Sequence, residues 1–228
     1  MVTVEAKLST LARGLHAPDQ YFRAPQEATR PNPATIRTLA YPTLLGLVQP
    51  TCIYASTDKG NEGMYHARFG RDGVVTKGLI LDGVIAASKR FGSVDTQDQE
   101  LLANAISGTL ALGNYQARED APERGERQGE LPHEVRTEDH SRLTQPIEKD
   151  KKPWYHKGRE MINFDSVDVT PLWANQVGRL INLGLIEPSD EELSQLRRAL
   201  EWTITNMREN GGFVGFTYDP DRKYGGLR

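Results

Sequence analysis

Four amphipathic segments constrain the fold of this chain more than any other feature of its sequence. They fall into two consecutive pairs, at residues 73–90 and 95–112 and again at residues 170–183 and 189–209. Apolar residues recur in each segment at intervals of three and four, which is the period of a helix that buries one face. The sequence therefore predicts a mainly α-helical protein built from helical hairpins, with minor β structure near residues 50–70 or in the C-terminal tail.

The first pair carries recognisable start and stop signals. Lys89 and Arg90 lie in the last predicted turn of the first helix, where cations suit the helix dipole, and Gly92 can end it. Thr96 and Gln99 have the spacing of a capping box at the start of the second helix. We expect these buried residues: Val74, Val75, Leu79, Val84 and Ile85 in the first helix, and Leu101, Leu102, Ala105, Ile106 and Leu110 in the second.

The second pair is delimited in the same way. Thr170 is the predicted cap of the third helix, Pro171 its first residue and Gly184 its stop. Ser189 and Glu192 form an S-x-x-E capping box for the fourth helix. We expect these buried residues: Trp173, Val177, Leu180 and Ile181 in the third helix, and Leu193, Leu196, Leu200, Ile204 and Met207 in the fourth.

Composition and charge argue against several function classes. The chain has 228 residues, a net charge of −3 and 37% hydrophobic residues, so it can bury a core but has no basic excess for nucleic acid or an anionic membrane. Cys52 is the single cysteine and cannot form an internal disulfide. The five histidines lack a metal-ligand spacing. We therefore expect no metal and no cofactor.

Two further segments bear on location and organisation. The uncharged run at residues 38–57 is interrupted by prolines, so we interpret it as part of a buried core rather than a membrane span. The N-terminus lacks the pattern of a signal peptide, and with the lone cysteine this favours a cytoplasmic protein. Residues 116–160 are crowded with charges of both signs, which is typical of a long functional or disordered loop.

The first chemical motif is "FGRDG" at residues 69–73. Arg71 and Asp72 stand at a helix entrance, and together they offer a fork of donors and a two-oxygen acceptor. Such a pair suits a sugar, because the carboxylate can accept from vicinal hydroxyl groups while the guanidinium donates. The alternative is that Asp72 caps the helix and Arg71 is a surface residue.

The second motif is "GELPHEVR" at residues 129–136. It places His133, Glu134 and Arg136 directly after a proline. These side chains could contact a ligand from an otherwise charged loop, or they could belong to a solvated turn.

The third motif is "INFDSVDVTPLW" at residues 162–173. Asp165 and Asp168 precede a helix, whose N-terminus favours nearby carboxylates, so both could be structural. Asp168 could instead act as an acid beside an aromatic wall. Trp154 and Trp173 could each lie in the core or form a surface on which a sugar stacks. Trp202 is expected in the core.

These motifs occur in an order that resembles a known family of enzymes. "FGRD", "GELPHEVR", "SVDVTPLW" and then "GFVGFTYD" are similar to motifs of glucoamylase-like glycoside hydrolases of the amylo-alpha-1,6-glucosidase and glycogen-debranching type. The motifs resemble those of trehalases and neutral invertases more distantly. It covers about residues 60 to 228, and the family fold is an (α/α)6 toroid of six helical hairpins.

The resemblance implies specific roles. Asp168 would be the general acid that protonates the glycosidic oxygen. Arg71 and Asp72 would hold the sugar at the −1 subsite. The other implied substrate-binding residues are His133, Glu134, Arg136 and Trp173. Such enzymes invert the anomeric centre, so a second carboxylate must activate a water on the opposite face of the sugar. The two carboxyl groups would be ~6.5–9.5 Å apart. The substrate would be an oligosaccharide or polysaccharide with α-glucosidic bonds.

The chain departs from the family in length. Six hairpins need more helices than four, and related sequences continue into an N-Q-G-W-x-D-S-like segment where this chain reads "RKYGGLR". The general base of the family comes later still. We therefore expect an uncertain segment at residues 1–60, and a partial toroid lacking the base at residues 61–228. A second polypeptide or self-association would complete it. Alternatives are a non-catalytic carbohydrate-binding remnant and an unstable fragment.

Overall fold

The computed structural model describes residues 44–45, 47–50, 52–53, 67–92, 94–121, 126–137, 155–157, 160–164, 166–212 and 214. Within these ranges the protein is mainly helical, as the sequence predicts. The helices are α1 Gly70–Phe91, α2 Thr96–Gly113, α3 Val169–Asn182 and α4 Asp190–Glu209. Helix α1 packs on α2 and α3 packs on α4, so each consecutive pair forms a hairpin, and α1 also packs on α3. None of the described helices is long and apolar enough to cross a membrane.

Short strands accompany the helices. They are β1 Val48–Gln49, β2 Cys52–Ile53, β3 Arg68–Phe69, β4 Glu134–Thr137, β5 Tyr155–Lys157 and β6 Glu160–Asn163. Strands β1 and β2 pair with each other, and the other four form an antiparallel sheet in the order β3-β4-β6-β5. The predicted β structure near residues 50–70 is confirmed at β1 to β3. Apart from Val214, the predicted β structure of the tail lies outside the described residues, and so does the boundary between residues 60 and 61.

The charged segment at residues 116–160 contains β structure that the sequence did not predict. Strands β4 and β5 lie within it and pair with β6 on either side. Val135 and Ile162 face each other in the register and are buried with Phe164 and Ala117. The loop prediction for this segment is therefore wrong in its described parts, because cross-strand pairing with β6 decides the structure there rather than local composition.

Helix α1 starts earlier than predicted, and its buried face matches the prediction only in part: Val74 and Val84 are buried as predicted. It begins at Gly70, and it ends where predicted: the cap Gly92 has φ 71° and its N–H donates to the Ser88 carbonyl at 2.8 Å. The predicted burial of Val75 and Leu79 is wrong, because these two residues are 45% and 67% exposed. The buried face carries small and polar residues that an apolar count overlooks: Gly70, Gly73, Val74, Lys77, Gly78, Ile80, Leu81, Val84 and Ser88.

Two predicted caps differ from the structure. Asp95, rather than a Thr96–Gln99 box, caps α2 by accepting from the Asp98 N–H at 2.8 Å. Thr170 does not cap α3, since it lies inside the helix and its hydroxyl oxygen accepts from the Leu131 N–H at 2.9 Å. At α2 the neighbouring Asp95 takes the capping role that the pattern assigned to Thr96. At α3 the Thr170 hydroxyl bonds to the distant Leu131 backbone instead of capping its own helix.

Helix α4 confirms its predicted start and contradicts its predicted face. The Ser189–Glu192 capping box is present. The face toward the protein carries Gln195, Ala199, Trp202 and Asn206. Four of the five residues predicted to be buried are exposed, namely Leu193, Leu200, Ile204 and Met207.

Polar bonds explain the orientation of α4. The Gln116 side chain, beyond the end of α2, donates to the Gln195 carbonyl at 2.9 Å and accepts from Arg198 at 3.0 Å. Gly129 approaches the Arg198 carbonyl so closely that a Cβ there would lie 2.2 Å from it. These contacts fix the polar side of α4 inward, although its apolar stripe is on the other side.

Candidate functional site

Backbone hydrogen bonds bring the three chemical motifs to one place. The Gly70 N–H donates to the His133 carbonyl at 2.8 Å, and the His133 N–H donates to the Asn163 carbonyl at 2.8 Å. The Phe69 and His133 rings meet edge to face with centroids 5.8 Å apart. The start of α1, the residue before β4 and the end of β6 are thereby connected, although residues 70 and 163 are far apart in the sequence.

Gly70 is the tightest contact in this convergence. A Cβ at this position would lie 2.3 Å from the Pro132 carbonyl oxygen and 2.7 Å from Val169 Cγ1. Real Cβ atoms do not approach a backbone oxygen this closely. Only glycine therefore lets the first turn of α1 pack against both the Pro132 segment and the first turn of α3.

We expect Gly70→Ala to lower the free energy of unfolding by about 1–3 kcal/mol, because the backbone must shift to relieve the overlap. Gly83→Ala is the matched control in the same helix, since nothing lies within 4 Å of a Cβ there. That control should gain up to about 1 kcal/mol from helix propensity. Urea denaturation of both variants measures the difference, and equal stability of the two would refute the close contact.

Arg71 lies between the two candidate carboxylates. Its Nε is 3.7 Å from Asp72 Oδ1, and its Nη1 is 3.6 Å from Asp168 Oδ2. The side chains are 56% exposed for Arg71 and 41% exposed for Asp168. The three side chains that the sequence predicts as clamp and acid are therefore adjacent and open to solvent.

Asp168 is held in place by its own segment. The Ser166 hydroxyl donates to Asp168 Oδ1 at 2.5 Å, and Ser166 itself is buried. Asp168 is the residue before α3, and its side chain makes no capping bond to the helix. One carboxyl oxygen is thus bonded to Ser166 and the other faces Arg71, so the helix start does not require this carboxylate. Asp165, its neighbour in the motif, lies outside the described residues.

Glu134 and Arg136 form a buried ion pair instead of an open ligand contact. Their side chains are 6% and 8% exposed, and Arg136 Nε donates to Glu134 Oε1. Burial raises the pKa of the Glu134 carboxyl group above its ordinary value, and the positive charge of Arg136 opposes this rise. Alternate residues of a strand share one face, and here that face is covered. The substrate-binding role of these two residues stays a prediction. His133 is half-buried and contributes its backbone.

Trp173 belongs to the core. Its side chain is 1% exposed and its Nε1 donates to the Thr109 carbonyl at 2.7 Å. It packs in one cluster with Val74, Leu131 and Val169. This placement confirms the predicted burial of Trp173, and the substrate-binding role that the resemblance implies for it stays a prediction. Trp202 is buried as predicted, and Trp154 lies outside the described residues.

Sequence reasoning missed a polar triad formed by Arg68, Tyr115 and Glu160. Arg68 Nη1 donates to the Tyr115 hydroxyl at 2.6 Å and to Glu160 Oε1 at 2.7 Å, and the Tyr115 hydroxyl donates to the same Glu160 oxygen at 2.9 Å. Burial raises the pKa of Tyr115 to about 12, so its hydroxyl stays protonated. The triad joins β3, β6 and the end of α2. Its members are 45 or more residues apart, and no local signal could have paired them.

The described residues contain no group of three His, Cys, Asp or Glu side chains that could hold a metal ion. Comparisons with protein-family models, curated proteins and solved structures gave no match to this chain.

Proposed function

We propose that the site formed by Arg71, Asp72 and Asp168 binds a carbohydrate and cleaves its O-glycosidic bond, in the manner of the amylo-alpha-1,6-glucosidase and glucoamylase type. The observation that supports this most is the convergence of the three motifs through Gly70, His133 and Asn163. Adjacent donors and acceptors open to solvent are the groups that a polyhydroxylated ligand requires.

The clamp part of the site follows from hydrogen-bond chemistry. The Arg71 guanidinium carries five N–H donors and the Asp72 carboxylate two acceptor oxygens. A sugar with vicinal hydroxyl groups can donate to Asp72 and accept from Arg71, exchanging their mutual contact at 3.7 Å for bonds to the ligand. Both side chains are more than half exposed, so these bonds form without unfolding any part of the protein.

The chemical part rests on Asp168. Protonated, its carboxyl group would transfer a proton to the glycosidic oxygen as the bond to the anomeric carbon breaks. Arg71, once bonded to the sugar, would no longer face Asp168 Oδ2, while Ser166 would keep the carboxyl group oriented. A water activated by a second carboxylate would attack the opposite face of the ring. In the resembling family this base comes from later in the sequence, and none of the described residues is assigned that role here.

Binding without hydrolysis is the second candidate function. The burial of Glu134 favours it, because this carboxylate of the converging motifs is paired with Arg136 and covered. A chain with the clamp and the acid but without an accessible base would hold a sugar and leave its bond intact. We propose a cytoplasmic location and an α-glucosidic ligand for either function.

Removal of the clamp should weaken sugar binding. We expect Arg71→Ala to lower the affinity for an α-linked gluco-oligosaccharide at least about 10-fold, because hydrogen bonds to a charged group contribute about 1.5–3 kcal/mol. Isothermal titration calorimetry measures this. Arg90→Ala is the control, as another exposed arginine of the same helix, near its other end. Equal affinities of the two variants would count against the clamp.

A further inference from the structure

The outer face of α4 is an apolar stripe that no described helix covers. Leu193, Leu200, Ile204 and Met207 are 46%, 47%, 48% and 37% exposed. Single exposed apolar residues are common on protein surfaces, but four along one face of a helix indicate an interaction surface. The opposite face of the helix packs against α3 and against the segment after α2. The stripe is thus separate from the contacts that hold α4 in the fold.

The spacing of the stripe identifies the geometry of a partner. Leu193, Leu200 and Met207 recur every seven residues, with Ile204 between the last two. A seven-residue repeat is the pattern of two helices that pack side by side along their length. The three repeating positions are also symmetric about Leu200. An antiparallel second copy of α4 therefore places Leu193 against Met207 and Leu200 against Leu200, which is the self-complementary contact of a two-fold dimer.

The charges beside the stripe suit the same arrangement. Arg197 and Glu201 are exposed on one edge of the stripe and bond to each other at 2.9 Å. Leu200 lies between Arg197 and Glu201 in the sequence. Around a two-fold axis at Leu200, the Glu201 carboxylate of a second copy comes beside Arg197 of the first, and the reverse also holds. Two such ion pairs would meet as a network of alternating charge.

We propose that this chain forms a two-fold symmetric dimer through antiparallel packing of the outer faces of two α4 helices, centred on Leu200. The partner is a second copy of the chain, since the apolar and charged positions complement themselves under that symmetry. The Arg71 site is on other elements, so the dimer is independent of the proposed function.

Sedimentation equilibrium of the full chain tests the dimer. We expect the weight-average mass to rise toward twice the monomer value with increasing concentration, and Leu200→Glu to keep it at the monomer value. Leu79→Glu is the matched control, because Leu79 is an exposed leucine of α1 with 67% exposure. This control should associate as the unsubstituted chain does. A monomeric unsubstituted chain, an associating Leu200→Glu variant or a monomeric Leu79→Glu variant would each overturn the proposal.

A mixing experiment tests the two-fold axis itself. Leu200→Glu and Leu200→Lys should each be monomeric, because like charges meet at the axis. An equimolar mixture should form a dimer with one copy of each, since opposite charges then face each other. Circular dichroism of each variant checks that the fold is intact. A mixture that stays monomeric would contradict the pairing of Leu200 with itself.

Discussion

Replacement of Arg136 by methionine should lower the free energy of unfolding by about 3–5 kcal/mol at neutral pH, because Glu134 would keep a buried charge without this guanidinium. The pair lies within β4 at 6% and 8% side-chain exposure. Methionine has a similar length and leaves no large cavity. Urea denaturation of the purified variant measures the loss.

The loss should depend on pH in a definite direction. Burial raises the pKa of Glu134 in the folded state above its ordinary value of 4.5. The folded protein then binds this proton more tightly than the unfolded chain does. The contribution of Glu134 is therefore most favourable below pH 4.5 and declines as the pH rises toward the folded-state pKa. Without Arg136 to oppose the rise, Arg136→Met should show a steeper decline.

The double variant Glu134→Gln with Arg136→Met distinguishes the effect of the unpaired buried charge from the effect of the changed side-chain shape. It buries neither charge, so it should be more stable than the single variant at neutral pH, and the two should converge as the pH falls below 4.5. If Arg136→Met matched the unsubstituted protein at neutral pH, Arg136 would not be the counter-charge of Glu134.

Asp168→Asn should reduce hydrolysis of a glycosidic bond by about 10²–10⁴-fold in kcat, which is the usual contribution of a general acid. Asparagine keeps the shape of the side chain and an oxygen that can accept from Ser166, but it has no carboxyl proton to deliver. Binding of the intact sugar should change much less, because Arg71 and Asp72 remain.

Asp82→Asn is the control for this variant. Asp82 is another exposed aspartate that pairs with an arginine, Arg179, and it lies in α1 away from the converging motifs. Its replacement should leave turnover unchanged. If Asp168→Asn retained full turnover while Asp82→Asn did as well, Asp168 would not be the acid.

The sequence predicts those parts of this fold whose signals are local. The Ser189–Glu192 box and the stop at Gly92 depend on a few neighbouring residues, and the structure confirms both. The face that α4 buries depends instead on Gln116 and Gly129, which lie about 70–80 residues before the α4 residues they contact, and on this point the prediction is wrong. The composition of the charged segment likewise concealed β4, because its partner β6 lies more than 20 residues further along.

The same distinction applies to the site. Motif composition indicates Arg71, Asp72 and Asp168, and the structure places them together. Composition could not show that Glu134 and Arg136 are covered, since burial depends on the strands and helices packed around them. The sequence also left Trp173 open between the core and a sugar-stacking surface. Its burial and its hydrogen bond to the Thr109 carbonyl, which is 64 residues away, place it in the core.

Proton NMR of an α-linked gluco-oligosaccharide incubated with the protein tests the central claim most directly. The account predicts that the sugar released first is the β-anomer, as an inverting reaction requires, and that Asp168→Asn releases none at a comparable rate. An α-anomer as the first product, or the absence of any hydrolysis when the sugar is bound, would contradict inverting cleavage at this site.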